Sequence, residues 1–197
     1  MANKHATLSD LFTAIADAIR AKTDDTAAIT ADDFPTAIQT IVPASALARG
    51  TITTITDNTV TSIRRYLFES CSKLTSVQAK ACTTVGQGAF SHCSSLQSVD
   101  LLGGYIAYDA FSVCRSLDTL ILRSTTGVCR LADSTVFLGC QIAAGGTGYV
   151  YVPRALLASY QTAANWNTFY YEDLDTGEMV SQFRAIEDYP AICGGTA

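Results

Sequence analysis

Histidine, tryptophan and charged side chains are scarce in this sequence. Two histidines and one tryptophan occur in 197 residues, and 16% of the residues are charged, against roughly 25% in a typical soluble domain. His92 stands next to Cys93, but the corresponding positions of three similar segments hold Ser70, Val113 and Gly139, so the sequence supports no Cys–His catalytic pair. We therefore predict that the protein is not an enzyme and has no catalytic, cofactor-binding or metal-binding residues.

Long apolar runs and a basic face are also missing. No stretch of 18 apolar residues occurs, so no membrane-spanning segment is predicted. The net charge is −5, and residues 171–197 alone carry six acidic side chains and one basic side chain, so the rest of the chain is neutral. A nucleic-acid-binding protein needs basic groups to neutralise phosphates, and we predict no nucleic-acid partner. The first residues lack the features of a secretory signal, and we expect synthesis in a cytosol.

Paired cysteine spacings typical of zinc sites are absent, although the sequence has seven cysteines. No Cys-x-x-Cys occurs. Cysteine is readily buried as a small apolar residue, and four of the seven each follow a phenylalanine by three residues. This pattern favours a ladder of reduced, buried cysteines, with a disulfide and then a metal site as the alternatives.

The sequence does contain an internal repeat. The pattern Phe-x-x-Cys-x-x-Leu-x-x-Val/Leu occurs three times, 22 and then 21 residues apart, and a fourth copy keeps only its phenylalanine and cysteine. A period of this length is typical of a solenoid, in which equivalent residues of successive coils stack. The predicted core of the repeats consists of Phe68, Cys71, Leu74, Val77, Phe90, Cys93, Leu96, Val99, Phe111, Cys114, Leu117, Leu120, Phe137 and Cys140.

Two columns of apolar residues predict the strands of this solenoid. The first column contains Ile55, Val77, Val99 and Leu120, and the second contains Ile63, Val85, Ile106 and Val128. The fourth copy is longer than the others, with four extra residues expected around 132–135 and four more in the glycine-rich segment 143–148. We predict short strands that stack in parallel, one coil upon the next.

Helices are predicted on both sides of the repeats. Capping-box pairs and apolar residues at helical spacing predict a helical hairpin in residues 1–42, which we expect to act as an attachment and oligomerisation module. Residues 43–50 indicate a linker, and residues 51–152 form the repeat region. Residues 153–197 are predicted to contain a capping helix, with Trp166 as a core residue, and an acidic tail. The predicted fold class is α+β.

Exposed tyrosines are the candidate contact residues. Tyr105, Tyr108, Tyr149 and Tyr151 lie at or near predicted strands without all belonging to the buried columns. Tyrosine combines a large apolar ring with a hydroxyl and is enriched at interfaces. We predict a partner or ligand surface at these four residues. The alternative is that they are partly buried and frame the sheet.

The repeats resemble the BspA-like class of leucine-rich repeats. The resemblance rests on the segment from Ile63 to Val77 and on its repeats through Leu120, and it covers residues 51–152. It implies a short leucine-rich-repeat-like solenoid of stacked parallel strands, here placed between the helical hairpin and the capping helix. The proline that usually ends strands in this class is missing.

The amino-terminal segment is similar to a short module of tail-region proteins of bacteriophages and prophages, through residues 11–23 and 29–41. The similarity implies a tail-associated virion structural protein, a homo-oligomer that binds other virion or tail subunits through residues 1–42. Its repeats would serve host recognition or subunit packing, with a host surface protein or glycan as ligand, and its location would be the virion, assembled in the host cytoplasm. The alternative is a bacterial surface or secreted adhesion module, and an enzyme with an unrecognised site is the third hypothesis.

Overall fold

The computed structural model describes residues 51–143 and 145–194 of the chain. This part is a β-solenoid of about four coils with few helices. The helical hairpin predicted for residues 1–42 and the linker at 43–50 lie outside the described residues. Within the described part, no helix is long and apolar enough to cross a membrane.

Each coil contributes strands to two parallel sheets. The long sheet contains, in spatial order, β1 (Thr54–Thr56), β3 (Ser76–Ala79), β5 (Ser98–Leu101), β7 (Thr119–Leu122), β9 (Tyr149–Val152) and β12 (Phe183–Ala185). The short sheet contains β2 (Ser62–Ile63), β4 (Thr84–Val85), β6 (Tyr105–Ile106) and β8 (Arg130–Leu131). A separate antiparallel hairpin consists of β10 (Tyr170–Glu172) and β11 (Met179–Ser181). The predicted solenoid of stacked parallel strands is therefore confirmed.

The first predicted column is confirmed in register. Ile55 pairs with Val77, Val77 with Val99 and Val99 with Leu120. Val150 continues the column, and all five side chains are at most 4% exposed. They face the interior together because successive side chains of a strand alternate between the two faces of a sheet.

The second predicted column is wrong in the fourth coil. Ile106 pairs with Leu131 and not with Val128. Leu131 is buried, whereas Val128 is half-buried. Most of the extra residues of this coil therefore precede β8 and do not lie at 132–135.

A stack of aromatic rings runs through the interior. Successive ring centroids of Phe68, Phe90, Phe111 and Phe137 are 5.4, 5.2 and 5.5 Å apart, and the planes of neighbouring rings lie within 13° of each other. Trp166 continues the stack at 5.7 Å from Phe137 and is fully buried. The interpretation of Trp166 as a core residue of the cap is confirmed.

The repeat cysteines form a second buried column beside the rings. The Sγ atoms of Cys93, Cys114 and Cys140 each donate a hydrogen bond of 3.0 Å to the carbonyl oxygen of the phenylalanine one coil earlier. Each thiol thus bonds one coil to the next. All six cysteines whose side chains the structure describes are buried and form no disulfide, as a reduced ladder requires.

In the turn of each coil, the residue two positions after the phenylalanine lies in the left-handed region. Its φ is 60° at Ser70, 62° at His92, 62° at Val113 and 77° at Gly139. In the first three coils the residue two positions before the phenylalanine also has a positive φ. Side chains disfavour this region, and β-branched residues disfavour it most. His92 therefore occupies a position defined by its backbone, and its side chain is exposed, which confirms its interpretation as a surface histidine.

The cap begins directly after β9. A 3-10 helix, Arg154–Leu156, leads into α1 (Leu157–Thr162), and a second 3-10 helix, Ile186–Asp188, and α2 (Pro190–Cys193) follow β12. Tyr160 and Trp166 bind the same residue of the fourth coil: the N–H of Cys129 donates to Tyr160 Oη at 2.9 Å, and Trp166 Nε1 donates to the carbonyl oxygen of Cys129 at 2.6 Å. These bonds hold the chain just before β8 and explain why the fourth coil departs from the spacing of the others.

The glycine-rich loop of residues 143–148 is bound by the cap through Gln182. This fully buried side chain donates from Nε2 to the carbonyl oxygens of Gly146 and Gly148, both at 3.1 Å. A Cβ atom at Gly146 would lie 2.0 Å from the carbonyl oxygen of Gln141, and one at Gly148 would lie 2.6 Å from that of Asp118. The loop needs glycine at these two positions because backbone passes so close to them.

Candidate binding surface

The four predicted contact tyrosines lie on two different sheets. Tyr105 belongs to β6 of the short sheet, and Tyr108 follows that strand. Tyr149 and Tyr151 belong to β9 of the long sheet. The structure therefore brings the tyrosines together as two separate pairs.

The pair on the short sheet is only partly enclosed. Tyr108 is 50% exposed. The guanidinium carbon of Arg130 lies 5.8 Å from the centroid of the Tyr105 ring, within the range of a cation–π contact. Arg130 and Tyr105 are direct neighbours on adjacent strands, so the contact follows from the register of the sheet.

The pair on the long sheet belongs to a larger group of aromatic residues. The guanidinium of Arg184, from β12, lies 4.3 Å from the centroid of the Tyr149 ring. The neighbouring Tyr149 side chain raises the pKa of Tyr171 above its ordinary value. Tyr171 comes from β10, so the hairpin and the long sheet meet at Tyr149.

Tyr151 is the buried member of this group. It is 4% exposed, so its ring offers little area to a partner. The ring packs with Ile121 of β7 and lies edge-on to Tyr189, with 5.4 Å between ring centroids. We call Tyr149, Tyr151, Tyr171, Tyr189 and Arg184 the tyrosine cluster.

Arg184 fixes the geometry of the tyrosine cluster. Its Nη1 donates to the carbonyl oxygens of Ser181 and Phe183 at 2.5 and 2.8 Å. β12 is the last strand of the long sheet: one of its edges pairs with β9, and the other edge has no neighbouring strand among the described residues. The guanidinium therefore covers carbonyl groups at the end of the sheet and at the same time supports the Tyr149 ring, which is an arrangement that hinders further strand addition.

Apart from Ile121, the rest of the outer face of the long sheet is polar. Small hydroxyl side chains occupy one row across the first strands: Thr54, Ser76, Ser98 and Thr119. In the middle, Asp100 accepts two hydrogen bonds from Arg123, at 2.6 and 2.9 Å, and Lys80 lies 4.0 Å from the same carboxylate. These charges already satisfy one another, so the tyrosine cluster is the part of this face with aromatic area to offer.

Cys93, the cysteine beside His92, is not a reactive thiol. Cys93 is fully buried, and the neighbouring Cys114 thiol, together with burial, raises the pKa of Cys93 to about 12. A thiol held so firmly protonated is a poor nucleophile. Among the described residues, no group of three or more His, Cys, Asp or Glu side chains could hold a metal ion.

Sequence reasoning missed Tyr171, Tyr189, Arg184 and Ile121. Three of these residues lie in the cap, which has no repeat to compare. Ile121 does carry a signal, because it follows the buried Leu120 in a strand and must point outward, as Tyr151 does after Val150. An apolar side chain at an outward position indicates that something covers it.

The family profile described as BspA type Leucine rich repeat region matches residues 27–144 in six copies, which is more than half of the chain. The match begins within the segment predicted as a helical hairpin. No curated protein and no solved structure shows a significant match.

Proposed function

Because this chain belongs to the BspA-type leucine-rich repeat family, we propose that it is a protein-binding module whose contact surface is the tyrosine cluster. Leucine-rich repeat solenoids are typically non-enzymatic scaffolds for protein interaction. The observation that carries the proposal is the position of the Tyr149 ring, which the Arg184 guanidinium contacts on the outer face of the long sheet.

A surface of this kind suits protein binding for a thermodynamic reason. Ordering a flexible side chain on association costs free energy, and a ring that is already held in place avoids most of that cost. Tyrosine is also enriched among the residues that dominate binding energy. The small hydroxyl side chains on the first strands of the same sheet have neither the area nor the rigidity to compete.

The test compares two double variants on a common background. Tyr149→Ala with Tyr171→Ala alters the tyrosine cluster, and Tyr105→Ala with Tyr108→Ala removes the same number of rings from the short sheet. Proteins retained by the immobilised wild-type chain from a bacterial lysate are identified, purified and titrated calorimetrically against all three forms. We expect the first double variant to weaken the affinity by at least about tenfold and the second to leave it unchanged.

Two outcomes contradict the proposal. Equal affinity of all three forms excludes the tyrosine cluster as the contact surface. A loss confined to the second double variant moves the surface to the short sheet.

We propose further that the module is part of a phage or prophage virion, as a tail-associated structural protein that binds other virion subunits through residues 1–42 and forms a homo-oligomer. The support is the resemblance of residues 11–23 and 29–41 to modules of tail-region proteins. The location that follows is the virion, with the repeats displayed for host recognition or subunit packing and a host surface protein or glycan as their ligand.

Particle association tests the virion proposal. Particles from an induced lysogen are purified on a density gradient, and the chain is sought in them by mass spectrometry. We expect the full-length chain to be found in the particles and a chain without residues 1–42 to be absent from them while its repeats remain folded. A full-length chain that is monomeric and absent from the particles contradicts the proposal.

The alternative is a surface-displayed or secreted adhesion module of the same repeat class. It is favoured by the family match alone, which says nothing about virions. Surface labelling of intact bacteria that express the gene distinguishes it, because an adhesin is labelled on the cell and a virion subunit is not.

A further inference from the structure

The two ends of the solenoid carry exposed charges of opposite sign. In the first coil, Arg64, Arg65 and Lys73 are exposed. Within residues 51–143 and 145–194, none of the three forms an ion pair. Residues 51–97 hold four basic and two acidic side chains, a net charge of +2 in a chain whose total is −5.

The negative end is the hairpin of β10 and β11. Glu172, Asp175 and Glu178 are exposed there and, in the part of the chain that the structure describes, have no basic partner. The turn itself is well fixed, because Asp173 Oδ1 accepts hydrogen bonds from the N–H groups of Asp175 and Thr176 at 2.9 and 3.0 Å.

The fixed turn presents one apolar residue. Leu174 lies between two aspartates at the tip of the hairpin and is 94% exposed. The hairpin is anchored at its base, where the N–H of Gly145 donates to the carbonyl oxygen of Tyr170 at 2.8 Å and the N–H of Gln182 donates to that of Phe169 at 3.0 Å. A single exposed apolar residue is common on protein surfaces, so Leu174 only adds apolar area to the acidic tip of the hairpin.

The positive end has a matching composition. Tyr66 directly follows Arg64 and Arg65 and is 40% exposed. Its ring lies over Gly88, where a Cβ atom would come within 2.4 Å of it. The sequence Arg-Arg-Tyr thus offers two positive charges beside an aromatic ring, and the hairpin offers Asp-Leu-Asp.

We propose that the acidic hairpin of one copy of this chain docks on the Arg64–Tyr66 segment of a second copy. The first coil carries β1 at one end of the long sheet, and the hairpin leads directly into β12 at the other end. A rigid solenoid therefore cannot make this contact with itself. The contact uses two different surfaces, and such heterologous contacts build rings or filaments in place of closed two-fold dimers.

The interface is expected to be weak and sensitive to salt. Exposed ion pairs contribute little individually, and salt screens them. The test is sedimentation velocity of the full chain over a range of concentrations, at about 0.01 M and about 1 M salt, where the screening lengths are about 30 and 3 Å. We expect the mean mass to rise with concentration at low salt and to lose that rise at high salt.

Charge reversal identifies the surfaces. The hairpin variant carries Asp175→Lys and Glu178→Lys, the first-coil variant carries Arg64→Glu and Arg65→Glu, and Arg115→Glu, an exposed arginine in another coil, is the matched control. We expect each double variant alone to lose the salt-dependent association and an equimolar mixture of the two to recover it. Arg115→Glu is expected to behave as the wild type, and Leu174→Ser is expected to weaken association at unchanged charge.

The readout separates this contact from any oligomer formed through residues 1–42. An oligomer through that segment sets a constant starting mass in all variants, and only the salt-dependent step is scored. The proposal is overturned if the wild type shows no salt-dependent step, if either double variant associates as the wild type does, or if the mixture fails to recover it while both variants keep the wild-type circular dichroism spectrum and melting temperature.

Discussion

Trp166 donates a hydrogen bond of 2.6 Å from its indole N–H to the carbonyl oxygen of Cys129. The same ring lies 5.7 Å from Phe137 and ends the column of phenylalanines. One side chain therefore closes the core of the solenoid and also satisfies a buried backbone acceptor of the last complete coil.

Replacing Trp166 by phenylalanine separates these two roles. The variant keeps an aromatic ring against Phe137 but leaves the Cys129 carbonyl without its donor, which costs roughly 1–3 kcal/mol. Trp166→Ala also opens a cavity and should cost about 3–5 kcal/mol. Urea unfolding followed by far-ultraviolet circular dichroism measures both. Equal costs for the two variants would show that ring packing contributes nothing beyond the hydrogen bond.

Phe90→Ala and Phe137→Ala should destabilise the protein by similar amounts, about 3–5 kcal/mol each. Phe137 belongs to the degraded fourth repeat, so the sequence alone predicts a smaller loss of unfolding free energy for Phe137→Ala than for Phe90→Ala. The structure surrounds that ring with Phe111, Trp166 and Phe169, with centroids 5.5–6.0 Å away. Denaturant midpoints at unchanged m-value test this. A clearly smaller shift for Phe137→Ala contradicts the packing of the cap on the fourth coil.

The left-handed position of the repeat turn predicts opposite effects in two coils. Val113 has a φ of 62°, and relief of its strain in Val113→Gly should stabilise the protein by up to about 1 kcal/mol. At Gly139 a Cβ atom meets nothing closer than 3.7 Å, so the cost of Gly139→Val, about 1–3 kcal/mol, arises mainly from the backbone. Thermal unfolding of both variants and of Gly139→Asn is the measurement. Asparagine tolerates the left-handed region, so it should cost less than valine.

Alkaline pH should unfold the protein through its buried thiols. The pKa of Cys93 is raised from 9.0 to about 12, first by the neighbouring Cys114 thiol and then by burial, and burial raises that of Cys129 to about 12. Between these values the unfolded chain loses protons that the folded chain keeps. The contribution of these two thiols to the free energy of unfolding is therefore fully present below pH 9. It is lost as the pH rises toward 12, at up to about 1.4 kcal/mol per pH unit for each thiol.

The measurement is the melting temperature between pH 8 and pH 11 under reducing conditions, since the effect begins near 9. The slope above pH 9 should be shallower for Cys93→Ala than for the wild type, whatever the difference at neutral pH. Ser94→Ala is the matched control, because it removes an exposed neighbour that does not titrate. Parallel slopes for Cys93→Ala and the wild type would contradict the pKa shift of this thiol.

The repeat columns could be predicted because the same kinds of side chain recur at the same spacing. The register of Ile55, Val77 and Val99 follows from counting, since a slip by one residue would turn every buried side chain outward. The buried cysteines follow in the same way, as members of a column three residues after each ring.

The fourth coil could not be predicted in the same way. Val128 and Leu131 are both apolar and lie only three residues apart, so spacing alone does not identify the strand residue. Long-range bonds decide it, because Tyr160 and Trp166 hold Cys129 from more than 30 positions away. The same limit applies to the tyrosine cluster. Tyr171 and Arg184 meet Tyr149 only after the cap has folded back on β9, and no local pattern encodes that contact.

The cap reaches the repeats through the fourth coil, at Phe137, at Cys129 and along β9. The earlier coils repeat every 21 or 22 residues with equivalent bonds between them. Tandem duplication or loss of one such unit in the gene would change the height of the stack by about 4.8 Å. It would leave the contacts between the cap and the fourth coil intact. The number of coils and the structure of the cap can therefore change independently during evolution.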